Sequence, residues 1–268
     1  MPIRVTAGET FGARLAKGGT QTGMWVCSGS PLIAEICAGS GLDWLLIDAE
    51  HSPNGLESLL AQLQAVHGYP AVPVVRPPSG DAVLLKQYLD LGAQNLLIPM
   101  VDTPEQAADL VRAVRYPPLG IRGVGSALAR ASRWNRIEGY LENAADSVTL
   151  LVQIETVAAV ENVAAIAAVD GVDGLFIGPS DLAASMGHLG RQDHPEVVAA
   201  VEHCIAAVKA AGKPVGVNAF AEATARRYLA AGVDFISAGA DVALLARGSE
   251  ALAATYQTPA DDDARASY

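Results

Sequence analysis

Short apolar runs of strand length alternate along the chain with longer Ala- and Leu-rich stretches of helical spacing, and Gly, Pro or Asp marks the joins. The runs that predict strands are 23–27, 44–50, 71–76, 95–100, 149–155, 174–178, 214–219 and 235–239, each followed by a stretch able to form a helix. Eight such units within about 250 residues predict an α/β fold of the closed parallel (β/α)8 barrel type. A doubly wound sheet would hold five or six strands and open on a glycine fingerprint, and no G-x-G-x-x-G follows the first run. Residues 1–256 therefore read as one barrel domain. The polar, acid-rich stretch 257–268 reads as a disordered tail. One connection, 117–146, is longer than the rest and carries Arg122, Arg130, Arg133 and Arg136. It reads as an excursion at one face of the barrel, with its arginines forming a solvated basic face.

Composition narrows the partners. Of 268 residues, 51% are hydrophobic and 18% charged, enough apolar material for a large core. The 29 acidic against 18 basic residues leave a net charge of −11, which repels nucleic-acid phosphates and anionic membrane surfaces, so a small-molecule partner is expected. No run approaches the roughly 18 apolar residues of a membrane span, and the opening residues lack the pattern of a signal peptide. A cytoplasmic protein is expected. Cys27, Cys37 and Cys204 sit singly among apolar neighbours and read as reduced core residues.

In such a barrel the working groups lie at the carboxyl ends of the strands. Those ends are polar: Asp48-Ala49-Glu50-His51 after the second, Arg76 after the third, Gln153-Ile154-Glu155 in the fifth, and Gly178-Pro179-Ser180-Asp181 after the sixth. Strand alternation sends Asp48 with Glu50, and Gln153 with Glu155, to the same side. Inward carboxylates need partners, and an all-oxygen set without clustered thiolates or imidazoles suits Mg²⁺ or Mn²⁺ better than Zn²⁺. Glu155 and Asp181 are the ligand pair this selects. Each has a plain structural alternative: Glu155 paired with Arg76, and Asp181 capping a helix that begins at Leu182. Arg76, before two prolines, offers a planar fork for an oxyanion, or an ordinary ion pair. His51, next to two acids, is the candidate base. None of the four lysines, Lys17, Lys86, Lys209 and Lys213, ends a predicted strand, which argues against Schiff-base and pyridoxal phosphate chemistry. The seventh and eighth strand ends lack a glycine-rich phosphate cradle, so a carboxylate substrate is expected there.

The segments DWLLIDAEHSPN, VRPP, LDLGAQNLLIPMVDT, RYPPLGIRGVG, LVQIE and GLFIGPSDLAASMG together resemble the HpcH/HpaI family of metal-dependent class II pyruvate aldolases, over about residues 11–256. Within it the chain looks most like the 4-hydroxy-2-oxoheptane-1,7-dioate and 2-dehydro-3-deoxyglucarate aldolases. The resemblance implies a (β/α)8 barrel, a hexamer with the last helix exchanged between subunits, and reversible cleavage of 4-hydroxy-2-oxo acids to pyruvate and an aldehyde with Mg²⁺, Mn²⁺ or Co²⁺. Residue by residue it places the metal on Glu155 and Asp181. It makes His51 the acid/base and Arg76 the stabiliser of the enolate oxygen, and it sets Gln153 and Ser180 against the 2-oxo acid. Asp90 matches an aspartate that strengthens the histidine from a neighbouring subunit, a role for which Asp48 is the alternative within the chain. Asn218 stands where the dioate aldolases carry an apolar residue, which makes hydroxylated aldehydes plausible substrates. Two competing functions stay in view: a CoA-thioester lyase of the citrate-lyase β or malyl-CoA lyase type, and a non-catalytic keto-acid sensor. CoA dependence would mark the first, and absence of pyruvate release the second.

Overall fold

In the computed structural model, which describes residues 3–257, eight parallel strands close a barrel in sequence order. They are β1 (Gln21–Val26), β2 (Trp44–Asp48), β3 (Val72–Arg76), β4 (Asn95–Ile98), β5 (Thr149–Ile154), β6 (Gly174–Ile177), β7 (Val215–Asn218) and β8 (Phe235–Ala240). The helices are α1 (Phe11–Leu15), α2 (Pro31–Ala38), α3 (Leu56–Ala65), α4 (Ala82–Asp90), α5 (Pro104–Val114), α6 (Val157–Ala167), α7 (Pro179–Ser185), α8 (Pro195–Ala210), α9 (Glu222–Ala230) and α10 (Asp241–Tyr256). The expected tail, 258–268, lies outside the described residues.

The strand runs read as largely apolar between their ends because both faces are covered. One face packs against the helices through Ile47, Val75, Ile98, Leu150, Val152, Ile154 and Ile177. The other fills the barrel with Trp25, Trp44, Leu46, Val74, Leu97, Phe176 and Phe235. Trp44, Phe176 and Phe235 form an aromatic layer with ring centroids 5.8–6.4 Å apart. Gly23 and Gly216 make room for it: a Cβ on Gly216 would stand 2.2 Å from the Phe235 ring, and one on Gly23 2.4 Å from Trp44. Gly216→Ala is accordingly expected to destabilise the fold by about 1–3 kcal/mol through overpacking, as a lower urea midpoint with an unchanged slope. The amino-terminal end is plugged by Phe11, and α1 is tied down by Asn95 Oδ1, which accepts from Phe11 N at 2.6 Å, and by Thr149 Oγ1, which accepts from Gly12 N at 2.9 Å.

Strand edges differ from the sequence expectation for local reasons. β2 stops at Asp48, two residues early, because the Asp48 carboxylate accepts from the backbone N–H groups of Glu50 and His51 and turns the chain out of the ladder. β1 begins two residues early, since polar Gln21 and Thr22 still pair with Phe235 and Ile236 of β8. The connection 117–146 folds into short 3₁₀ turns, and its expected solvated basic face is corrected: Arg122 and Arg130 are buried, 2% and 9% exposed. Arg122 pairs with Asp90 at 2.8 Å. Arg130 donates to the carbonyls of Leu91 and Leu63 at the carboxyl ends of α4 and α3, where helix dipoles favour a cation.

Candidate active site

At the carboxyl end of the barrel, Arg76 is held on three sides. Its Nε and Nη2 donate to the two Asp48 oxygens at 2.8 and 2.9 Å, and its Nη1 lies 2.9 Å from Glu50 Oε2. Its guanidinium lies 4.2 Å from the centroid of the Trp25 ring, and the Trp25 indole N–H donates to Asn218 Oδ1 at 2.9 Å. Arg76 thus has a fixed plane, with N–H groups on Nη1 and Nη2 beyond those engaged here. Burial raises the Glu50 carboxyl above its ordinary range while Arg76 opposes the shift.

Glu155 and Gln153 project into the barrel, each 2% exposed. Glu155 Oε1 accepts from Met100 N at 2.7 Å, with Met100 in the left-handed region at φ 57°, a strained turn that aims this donor at the carboxylate. Glu155 Oε2 accepts from Gln153 Nε2, and Gln153 Oε1 is buried without a partner. Gly178 is required here: a Cβ would lie 2.8 Å from Glu155 Oε2 and 2.9 Å from Gln153 Nε2. Burial pushes the Glu155 carboxyl up to about 7, and the charges of Asp181 and Glu50 push the same way. Neither plain alternative for the two acids is found. Arg76 is engaged by Asp48 and Glu50, leaving Glu155 to other partners. Asp181 lies exposed in the first turn of α7, whose start at Gly178 has no side-chain cap.

These features fit a hard divalent cation. Carboxylates that couple electrostatically and an orphaned amide oxygen leave negative charge and acceptor capacity that Arg76, already engaged by Asp48 and Glu50, does not match. Among the described residues, the group whose three prospective ligand atoms lie within 4.8 Å is a different one, His188, His194 and Glu196, after α7. It is poorly suited to an ion, because the His188 nitrogens already face Glu196 at 2.8 Å and the Arg191 guanidinium at 3.1 Å.

His51 is exposed beyond the end of β2, its Nε2 3.9 Å from Glu50 Oε2. Asp48, the alternative support for the histidine, contacts Arg76 and the backbone N–H of His51; the side chain next to the imidazole is that of Glu50. Glu50 is the residue that sequence reasoning left without a role, although its alternation with Asp48 was the available signal. Asp90 ends α4 on the helix layer, paired with Arg122 and remote from the strand ends. Ser180 is exposed in the first turn of α7, and Asn218 is half-buried at the end of β7. The oxygen of Asn218, expected from the sequence to bear on the choice of aldehyde, accepts from the Trp25 indole. The lysines follow α1 (Lys17), lie within α4 and α8 (Lys86, Lys209), and precede β7 (Lys213).

A polar mouth at the carboxyl end of a closed parallel barrel, with buried acids beside a fixed guanidinium, is where barrel enzymes carry their working groups. The chain belongs to the HpcH/HpaI aldolase/citrate lyase family, whose profile matches residues 21–248. It is 56% identical over 256 residues to a hydroxypyruvate/pyruvate aldolase of Deinococcus radiodurans, covering 96% of this chain and 92% of the relative. It is 55% identical over 248 residues to a 4-hydroxy-2-oxo-heptane-1,7-dioate aldolase of Salmonella dublin, covering 92% and 94%. A solved HpcH/HpaI aldolase/citrate lyase family protein from Burkholderia cenocepacia superposes with a TM-score of 0.88 at 42% identity, covering 92% of this chain and 98% of that one. The protein is a lyase of the class II pyruvate aldolase type, dependent on a divalent metal ion and acting on small molecules. No helix among the described residues is long and apolar enough to cross a membrane.

Proposed function

We propose that this enzyme cleaves 4-hydroxy-2-oxo acids to pyruvate, or a related 2-oxo acid, and an aldehyde, with Glu155 and Asp181 holding Mg²⁺, Mn²⁺ or Co²⁺. The observation that carries this reading is the orphaned Gln153 oxygen beside Glu155, in a mouth that also holds the fixed Arg76. A divalent ion held there would supply Lewis acidity to the 2-oxo acid. Gln153 and Ser180 orient that acid. The remaining Arg76 N–H groups face the oxygen on which charge develops when a carbon–carbon bond breaks or a methyl proton leaves, and Asp48, Glu50 and Trp25 hold the guanidinium for it without reorganisation. His51 takes the proton from the C4 hydroxyl in cleavage and returns it in condensation. The names of the two relatives support pyruvate and hydroxypyruvate as 2-oxo partners and a 4-hydroxy-2-oxo dioate as a frame for the acid that is cleaved. The test is pyruvate release from racemic 4-hydroxy-2-oxo acids with each ion in turn; no release with any ion overturns the reading.

The working form we propose is a homo-oligomer, as a hexamer with α10 exchanged. Only Asp241 of α10 is buried, while Leu244, Leu245 and Leu252 are more than 60% exposed, as are Leu32 and Ile36 of α2. Such apolar surface calls for a cover, and a neighbouring copy would also bring an Asp90 to a histidine it cannot reach within its own chain. Light scattering is expected to show the oligomer; a fully active monomer would remove both the assembly and the role of Asp90. The three free cysteines support a cytoplasmic setting.

A further inference from the structure

The arginines of the long connection are left over from the catalytic account. Arg130 and Arg133 lie at the amino-terminal end of the barrel, beside the start of β3 and β4, where they line a cavity of about 300 Å³ with Arg14, His67 and Gln94. The cavity presents donors. Arg133 Nη2 lies 3.4 Å from His67 Nδ1 and donates to it, which places the imidazole proton on Nε2 as a further donor. The Gln94 Nε2 group is directed at the carbonyls of Gly8 and Ser147.

The charge in this wall is unbalanced. Its single carboxylate, Glu9, is engaged by Lys17 and Arg14. Neither Arg130 nor Arg133 has a carboxylate partner among the described residues. Burial lowers both arginines, Arg130 to about 10, with Arg133 adding to that shift, and burial together with the two arginines lowers His67. Placing these cations together costs free energy in a chain whose net charge is −11.

The backbone is also arranged to deliver Arg133. Arg133, Trp134 and Asn135 are three successive non-glycine residues at φ 51°, 55° and 61°, a conformation with a steric cost at each. Asn135 N donates to Ser132 Oγ at 3.0 Å, Ser132 Oγ donates to Ser126 O at 2.5 Å, and Trp134 N donates to Ala129 O at 3.2 Å, so the strained turn is rigidly held. The turn sets Arg133 against His67 at the cavity, leaving Trp134 about half exposed.

We propose that this amino-terminal cavity is an oxyanion-binding site, separate from the catalytic mouth, which takes a compact dianionic group, phosphate or dicarboxylate, on Arg133, Arg130 and the His67 Nε2–H. Calorimetric titration of the full-length, metal-loaded protein with inorganic phosphate and with succinate, each against potassium chloride at matched ionic strength, tests it. One site per chain is expected for at least one of the two, and their relative affinities separate a tetrahedral oxyanion from a dicarboxylate. Arg133→Ala is expected to weaken that binding about tenfold or more, the scale of one lost charge-assisted hydrogen bond. His67→Ala gives a second reading should the strained turn not tolerate the first change. Because the cavity lies at the other end of its own barrel, and neither Asp90 nor His51 lines it, saturating pyruvate should leave the titration unchanged. Binding no stronger than that of chloride, binding indifferent to both substitutions, or displacement by pyruvate would each overturn the proposal.

Discussion

Arg76→Lys is expected to depress every reaction of this enzyme that passes through an enolate, whereas His51→Ala depresses aldol cleavage selectively. Losing a preorganised donor to a developing oxyanion costs about 2.7–4 kcal/mol. Lysine cannot reproduce the fork that meets both Asp48 oxygens while a third nitrogen meets Glu50. Pyruvate methyl-proton exchange and oxaloacetate decarboxylation develop the same charge and should fall with aldol turnover. His51 serves the C4 hydroxyl proton, which decarboxylation lacks. Its loss should lower cleavage by roughly a hundredfold or more and spare more of the decarboxylation. Steady-state rates of both reactions in both variants, at saturating metal and with the thermal transition checked, decide the matter. Equal depression of the two reactions by His51→Ala would reassign the histidine to enolate formation or to the structure of the site.

Stripping the metal with excess chelator should abolish cleavage, and Mg²⁺, Mn²⁺ or Co²⁺ should restore it. Glu155→Gln and Asp181→Asn should each lose at least about a hundredfold, since the Lewis acid supplies several kcal/mol of charge stabilisation. Their metal affinity, read by equilibrium dialysis, should fall with activity. Borohydride with pyruvate should leave the enzyme active, because no lysine ends a strand. Full activity in excess chelator, or a reduced pyruvate adduct on the protein, would contradict the assignment of Glu155 and Asp181.

The barrel was legible because burial on both faces makes the middle of a strand an unbroken apolar run, such as 44–47 in β2 or 96–98 in β4, that periodicity detects locally. The acids at the strand ends were legible for the complementary reason, that polar groups in such runs need partners. Which partner each takes was not, because that depends on contacts between distant units. The Asp48 carboxylate turns to Arg76, 28 residues on, and Asn218 to Trp25, 193 residues away. The same limit hid Arg122 and Arg130. An arginine in a loop reads as solvated until Asp90 and the carboxyl-terminal carbonyls of α3 and α4 are known to surround it.

The tie between Asp241 and the first strand bears on the order of assembly. The buried Asp241 carboxylate, at the start of α10, accepts from the backbone N–H groups of Cys27 and Ser28 at 2.8 and 3.1 Å, more than 200 residues away, beside the seam where β1 meets β8. Neighbouring strands elsewhere can pair as soon as their unit is made, but this seam joins the first strand to the last and closes a loop of nearly the whole chain. A nascent chain therefore carries an open sheet edge along β1 until Asp241 has emerged. That edge is the surface most in need of protection during synthesis, and shortening the chain to end before residue 241 should affect recovery of soluble protein before it affects chemistry.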